Sequence, residues 1–224
     1  MDIGMPREDY DTLIEHAAEW LPAPYHIVTH ENNNNYPKYF AKIEDTSTTL
    51  VENRFLNYIG GIYIDVFPLD NVLDNKLLRA IHFYKFNLVR RFLYFSYRDP
   101  FKYGKGLRSI VPLIVQRMWS RKHLHRIAQG ILKEYKGRND CHYVMTHDDG
   151  FRAYNKKLFE THSSVVFEGV SVVAPADTDE FLKVMYGNDY MQPPSLEKRV
   201  SHFHDYCDFN MPYKDFDISK LRKL

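Results

Sequence analysis

Cysteine is scarce in this chain, which has only Cys141 and Cys207 among its 224 residues. Two cysteines are too few for a disulfide framework and suit a reducing compartment. The sequence also lacks an uncharged apolar run long enough for a membrane-spanning helix, and residues 1–4 do not resemble a signal peptide. Together these absences predict a cytoplasmic protein.

Common nucleotide-binding and nucleophile motifs are missing as well. There is no phosphate-binding loop ending in Gly-Lys-Ser or Gly-Lys-Thr, no Gly-x-Gly-x-x-Gly ahead of a helix and no Gly-x-Ser-x-Gly. The paired-cysteine spacing of zinc ribbons and fingers is absent too. Zinc stays an alternative, because six residues could supply ligands: Cys141, His142, His147, His202, His204 and Cys207.

The composition is that of one globular domain, with 44% hydrophobic and 26% charged residues. Its charge is unevenly distributed. From Lys76 to Arg138 there are 16 lysines and arginines but only two acids, Asp99 and Glu134, which gives +14 in a chain whose total is +1. Such a block indicates an anionic partner (a membrane surface, a phosphate polymer or nucleic acid), or else it folds against the acidic remainder.

Hydrophobic periodicity predicts an α+β fold, in which a small sheet with one helix precedes a helical insertion at about residues 76–138. The predicted strands are at residues 2–5, 25–30, 39–43, 48–51, 62–67 and 141–146, with a hairpin at 165–173. The predicted helices are at residues 6–20, 76–97, 107–119, 122–135 and 175–186. The first long helix has apolar residues on more than one side, so we expect it to face both the core and a second apolar environment such as a membrane interface.

One acid stands out in the strand that follows Gly60 and Gly61. Side chains alternate along a strand, so Asp65 shares a face with Tyr63 and Phe67, and Pro68 is expected to end the strand. A carboxylate in an apolar strand is costly unless a charged or hydrogen-bonding group meets it. Asp65 is therefore either a structural aspartate or a metal ligand.

Several segments, taken in order, resemble the LicD-type phosphocholine transferases from residue 2 to about residue 202. The segments that carry the resemblance are Asp2–Tyr10, Ile64–Asp70, Phe167–Gly169, Tyr186–Met191 and Pro193–Pro194. The resemblance implies a nucleotidyltransferase-like mixed β-sheet with flanking helices. It also implies transfer of a phospho-alcohol, such as phosphocholine, from a CDP-activated donor such as CDP-choline to a hydroxyl of a cell-surface glycan or a lipid-linked oligosaccharide, as in lipopolysaccharide or teichoic acid synthesis.

The family chemistry implies Mg²⁺ or Mn²⁺ held by carboxylates on neighbouring strands, since a divalent cation offsets charge on the leaving group. We predict Asp2 and Asp65 as catalytic metal ligands, with Asp70 as a weaker candidate that could instead stabilise a turn. Lys42, Thr46 and Thr48 are predicted to contact the donor, because hydroxyls and a point positive charge suit phosphate oxygens.

The chain also departs from the family pattern, because Asp2 is the only acid left of an acidic run. Met1 takes the place of the apolar residue between acids, so we expect the chain to start inside the catalytic motif. The alternative to an enzyme is a catalytically silent module that retains acceptor or membrane binding. In either case the basic insertion, with Arg90 and Arg91 among its cations, is predicted to contact the inner membrane face rather than nucleic acid.

Overall fold

The computed structural model describes residues 2–56, 58–102, 104–195, 197, 199 and 203–222, and it is a mixed α+β fold. The strands are β1 (Asp2–Pro6), β2 (Tyr25–Val28), β3 (Ala41–Val51), β4 (Gly60–Val72), β5 (Tyr143–Met145), β6 (Tyr154–Asn155), β7 (His162–Phe167), β8 (Val170–Pro175) and β9 (Tyr206–Asp208). The helices are α1 (Arg7–Trp20), α2 (Lys76–Tyr97), α3 (Leu107–Met118), α4 (Arg121–Leu132), α5 (Thr178–Tyr186) and α6 (Ser219–Arg222). Among the described residues, no helix combines the length and apolar character needed to cross a bilayer.

A seven-stranded sheet forms the centre of the fold, with the order β2-β3-β4-β5-β6, while β1 pairs with β4 and β9 pairs with β3. The β1–β4 pair is parallel and the others are antiparallel. The strands β3 and β4 each pair with three other strands and form the middle of the sheet. Strands β7 and β8 form a separate antiparallel hairpin, as the sequence predicted.

One face of the sheet is apolar and is covered by α1. Ile27, Ala41 and Val66 come from neighbouring strands and pack with Tyr10 and Ala17 of the helix. They share this face because strand side chains alternate. The helix begins after Pro6 with Glu8 and Asp9 in its first turn, where acids favour the positive end of the helix dipole.

The helical insertion covers part of the opposite face and confirms the three predicted helices. Phe86 and Leu93 of α2, Val115 of α3 and Leu124 of α4 share one apolar cluster with Phe40, which leads into β3. Asn75 caps the start of α2 by accepting hydrogen bonds from two backbone amides. The basic block therefore packs on the sheet instead of standing apart from it.

Two strand predictions were wrong. Pro68 does not end β4, since the strand continues to Val72. It lies between the segments of β4 that pair with β3 and with β5, so a residue without an amide hydrogen is tolerated there. The two short strands predicted at 39–43 and 48–51 are one strand, β3, with a register shift between Asp45 and Leu50. A side chain on Gly61 would collide with the Asp45 carbonyl oxygen, so this irregular stretch requires glycine opposite it.

Candidate functional site

A row of charged side chains crosses three strands on the sheet face opposite α1. Asp2 of β1 is the register partner of Asp65 on β4, and Lys42 of β3 is its partner on the other side. Direct cross-strand partners share a face. The structure therefore brings together the two predicted metal ligands and one of the three predicted donor contacts.

Lys42 is buried and is the counter-ion of this row. Its Nζ lies 2.6 Å from a carboxylate oxygen of Glu52 and 3.8 Å from Asp65 Oδ1. The same ammonium lies 3.2 Å from the centroid of the Tyr63 ring, and the Tyr63 hydroxyl donates to Glu52 at 2.8 Å. Each carboxylate oxygen of Glu52 thus has a close partner, whereas Lys42 is too far from Asp65 to donate a hydrogen bond to it.

Asp65 carries a buried oxygen that lacks a hydrogen-bond partner. Its Oδ1 is that atom, because 3.8 Å from Lys42 is too far for a hydrogen bond. Burial raises the pKa of Asp65 to about 6, while Lys42 and Lys38 oppose the rise and Glu52 and Asp2 add to it. A carboxylate left in this condition can accept a further cation or proton.

A second carboxylate on this face is also destabilised. Glu44, which directly precedes Asp45 on β3, is buried and accepts a hydrogen bond from the Tyr58 hydroxyl. Burial raises the pKa of Glu44 to about 7, against the opposing effect of that hydrogen bond. Gly60 leaves room for it, since a side chain there would collide with the Glu44 carboxylate.

The row adjoins a cleft of about 780 Å³ between α2 and the loops that flank β3. Glu52, which pairs with Lys42 of the row, lies in the cleft wall. Lys38, Arg90 and Arg91 supply positive charge along the cleft, and Tyr94 and Phe95 supply aromatic surface. Arg90 also lies 3.3 Å from Asp148, another lining residue. The cleft suits an anionic ligand with a planar group.

The other two predicted donor residues lie elsewhere. The Thr46 hydroxyl donates to the Pro24 carbonyl oxygen at 2.8 Å. The Thr48 hydroxyl donates to the Asp45 carbonyl at 2.9 Å and accepts from the Ile62 amide at 2.8 Å. Both hydroxyls therefore hold the irregular part of β3 in place through partners within the chain.

Asp70 neither stabilises a turn nor joins the row. It is buried on β4, and Arg7 donates to both of its oxygens, at 2.6 and 2.8 Å. Such a bidentate arrangement satisfies a buried carboxylate. Asp70 is therefore a structural aspartate that joins the start of α1 to the sheet.

The residues of the row fit a divalent cation in part. Asp65 offers an unpartnered oxygen and Asp2 an exposed carboxylate beside it. Within the described part of the chain, no group of three or more His, Cys, Asp or Glu could hold a metal ion by itself. Two carboxylates nevertheless suit Mg²⁺, which commonly takes its other ligands from water and substrate phosphates.

The described residues of the zinc alternative are dispersed. His142 pairs with Asp74, His147 contacts His82 at 3.1 Å between ring nitrogens, and Cys207 lies on β9. His202 lies outside the described residues. So does Met1, where the chain is expected to start inside the catalytic motif. These positions supply no observation in favour of zinc.

Sequence reasoning missed the cleft residues Glu52, Lys38 and Tyr94. Glu52 follows directly after β3 and Lys38 precedes that strand, while Tyr94 lies on the helix predicted at residues 76–97. The charge block did signal cations here, but it gave no way to tell which of them face a cleft. None of the protein-family models, curated proteins or solved structures compared with this chain matches it, so the geometry alone bears on function.

Proposed function

We propose that this chain is a metal-dependent transferase, or the larger part of one. It would move a phospho-alcohol such as phosphocholine from a CDP-activated donor to a sugar hydroxyl, on a nucleotidyltransferase-like sheet. The observation that carries the proposal is the Asp2–Asp65–Lys42 row, with its unpartnered Asp65 oxygen, beside a cationic cleft.

In this proposal the cleft binds the donor and the row binds the cation. Lys38, Arg90 and Arg91 would contact the donor diphosphate, and the rings of Tyr94 and Phe95 offer a surface on which a cytosine can stack. Asp2 and Asp65 would hold the cation at the neighbouring end. Lys42 keeps the Glu52 carboxylate neutralised, so that the excess negative charge of the row falls on Asp65.

In the proposed reaction the sugar oxygen forms a bond to the phosphorus that bears the alcohol. The bond from that phosphorus to the bridging oxygen breaks, CMP leaves with the electron pair, and the proton of the sugar hydroxyl passes to solvent water. When bound, Mg²⁺ or Mn²⁺ would offset negative charge on the diphosphate and on the departing CMP. The residues of the chain orient the reactants, which is the main source of catalysis in phosphoryl transfer.

A second function is favoured by one observation. Among the described residues only two carboxylates, Asp2 and Asp65, are placed for a cation, and Lys42 already offsets part of their charge. A silent module that binds an anionic ligand in the cleft without transferring it would have this arrangement. Metal binding in the presence of a donor separates the two functions.

The test is titration with Mn²⁺, followed by its paramagnetic resonance signal, with and without CDP-choline. We expect CDP-choline to strengthen Mn²⁺ binding, because the diphosphate completes the ligand set. Asp65→Asn should weaken that binding by roughly tenfold or more, since a charged ligand is lost. Affinity should also fall below about pH 6 as Asp65 takes up a proton.

A matched control is Asp45→Asn. Asp45 lies on β3 opposite its register partner Ile62, on the face covered by α1. Replacing it by asparagine changes the net charge by the same amount as Asp65→Asn. Its Mn²⁺ affinity should equal that of the native chain. If Asp65→Asn leaves Mn²⁺ binding unchanged, Asp65 is not a metal ligand and the proposed metal site is wrong. If CDP-choline binds but does not strengthen Mn²⁺ binding, the result favours the silent module.

A further inference from the structure

The helix α2 has two apolar faces, and only one of them reaches the core. Phe83, Phe86 and Leu93 are buried inward. The outward side carries Leu77, Ile81, Tyr84 and Leu88, which recur at the spacing of one helix face and are all exposed, Leu77 and Tyr84 by 70%. Nothing among the described residues covers this outward stripe.

The next helix, α3, repeats this arrangement. Ser109, Pro112 and Val115 face the protein. The remaining surface is apolar and exposed, through Leu107, Ile110, Val111, Leu113, Ile114 and Met118. Leu107 is exposed by 85%, which is unusual for a leucine at the start of a helix. Two consecutive helices thus present apolar surfaces to solvent, far more than scattered surface leucines would give.

Positive charge accompanies these surfaces, and one of the cations, Lys85, pairs with Glu134 at 3.4 Å. Lys76 and Lys85 flank the α2 stripe, while Arg108 and Arg117 lie among the apolar residues of α3. From residue 100 to residue 133 the sequence has no Asp or Glu. An apolar face bordered by cations is complementary to anionic lipid headgroups above an acyl layer.

We infer that the outward faces of α2 and α3 dock on an anionic phospholipid membrane, with the two helices lying in the plane of the interface. Neither helix can span the bilayer, so the contact is peripheral. A second copy of the chain is a poorer occupant, because a two-fold contact would bring the same cations together. Nucleic acid offers charge but no apolar layer for Leu77 or Leu107.

This docking surface lies within the segment predicted from sequence, residues 76–138, but it does not include the two arginines singled out there. Arg90 and Arg91 were predicted as membrane contacts, but both line the cleft. Part of the excess charge is also used internally, since Lys133 and Lys136 pair with Asp11 at 3.1 and 2.7 Å. Lys76 at the start of α2 and Arg117 of α3 are exposed beside the apolar stripes of these helices.

The experiment is co-sedimentation of the full chain with phosphatidylcholine vesicles, with and without phosphatidylglycerol. We expect pelleting with the anionic vesicles and little with the neutral ones. High salt should weaken binding without abolishing it, because screening removes the electrostatic part and leaves the apolar part. Failure to pellet with phosphatidylglycerol vesicles at low salt would overturn the inference.

Two matched variants locate the surface. Leu77→Glu/Leu107→Glu should weaken vesicle binding by roughly tenfold or more, since two inserted side chains become charged. Val166→Glu/Val173→Glu adds the same charge at equally exposed apolar positions of the β7–β8 hairpin, 77% and 75%, and should bind far more tightly than the first variant. Equal losses in both variants would overturn the assignment to α2 and α3. So would a monomer–dimer equilibrium, measured by sedimentation velocity without vesicles, that only the first variant abolishes.

Discussion

Two aspartates five residues apart on β4 have opposite surroundings. Asp70 is enclosed and both of its oxygens accept from Arg7. Asp65 is also largely enclosed, yet one of its oxygens has no hydrogen-bond partner and its nearest cation is 3.8 Å away. Folding therefore completes the environment of one carboxylate and leaves that of the other incomplete.

The difference separates structural from functional acids without reference to any known family. A buried carboxylate with a bidentate arginine contributes to a specific fold, and removing either partner leaves a buried charge unpaired. A buried carboxylate without such a partner costs stability and calls for a ligand that the chain does not contain. Other buried polar groups can be ranked by how completely the chain supplies their hydrogen-bond and charge partners, and the following substitutions test that ranking.

The largest effect is expected at Arg7 and Asp70. Arg7→Gln should lower the free energy of unfolding by about 3–5 kcal/mol, because it leaves Asp70 charged and buried. Asp65→Asn should instead raise it by about 2–3 kcal/mol at pH 7, because asparagine does not carry the cost of ionising a carboxyl whose folded pKa is raised from 3.8 to about 6. Urea denaturation of the two variants measures both values. Similar losses at the two positions would break the comparison.

The next effect is expected at Glu44 and depends on pH. Because its folded pKa is raised to about 7 from an ordinary 4.5, the native chain loses stability as pH rises through that interval. Glu44→Gln has no such loss and should gain about 2–3 kcal/mol relative to the native chain between pH 4 and pH 8. Denaturation curves at both pH values give the difference. A gain in stability that does not depend on pH would show that it does not arise from titration of Glu44.

A smaller effect of opposite sign is expected at His125, which is buried with one ring nitrogen bonded to Tyr97 and the other unpartnered. Burial lowers the pKa of His125 from 6.5 to about 3. Below pH 6.5 the unfolded chain therefore gains a proton that the folded chain does not, and stability falls. His125→Gln, which still accepts from Tyr97, should reduce the loss between pH 7 and pH 5 by about 1–2 kcal/mol. An unchanged pH profile would show that His125 is protonated in the folded chain.

The smallest effect is expected at Thr48, whose hydroxyl is fully used. Thr48→Val should lower the free energy of unfolding by about 1 kcal/mol, because the Ile62 amide loses its acceptor. It should leave the affinity for CDP-choline unchanged. Calorimetric titration with CDP-choline measures that affinity, and a weakened interaction with normal stability would restore Thr48 as a donor contact.

The sequence predicted the regular parts of this molecule well, because hydrophobic periodicity and caps are local. It located α2 to the residue and the turn of the β7–β8 hairpin, although the two strands are longer than the predicted 165–173. It did not show that β4 passes through Pro68, since this depends on which partner strands lie beside that proline. Asp65 was noticed as a lone acid, but Glu52 was not. Its pairing with Lys42 arises only when the end of β3 folds beside the sheet.

The parallel pairing of β1 with β4 has a consequence for the order of folding. The antiparallel strands β2, β3 and β4 follow one another along the chain, whereas β1 meets β4 across an interval of more than sixty residues, with Arg7 and Asp70 separated by 63. Contacts of such range form late, because closing a long loop must precede them. Detachment of β1 by local opening would separate Asp2 from Asp65 and leave the antiparallel strands paired. Assembly of the site thus depends on the pairing of β1 with β4. The amide hydrogens of β1 should exchange with solvent sooner than those of β3.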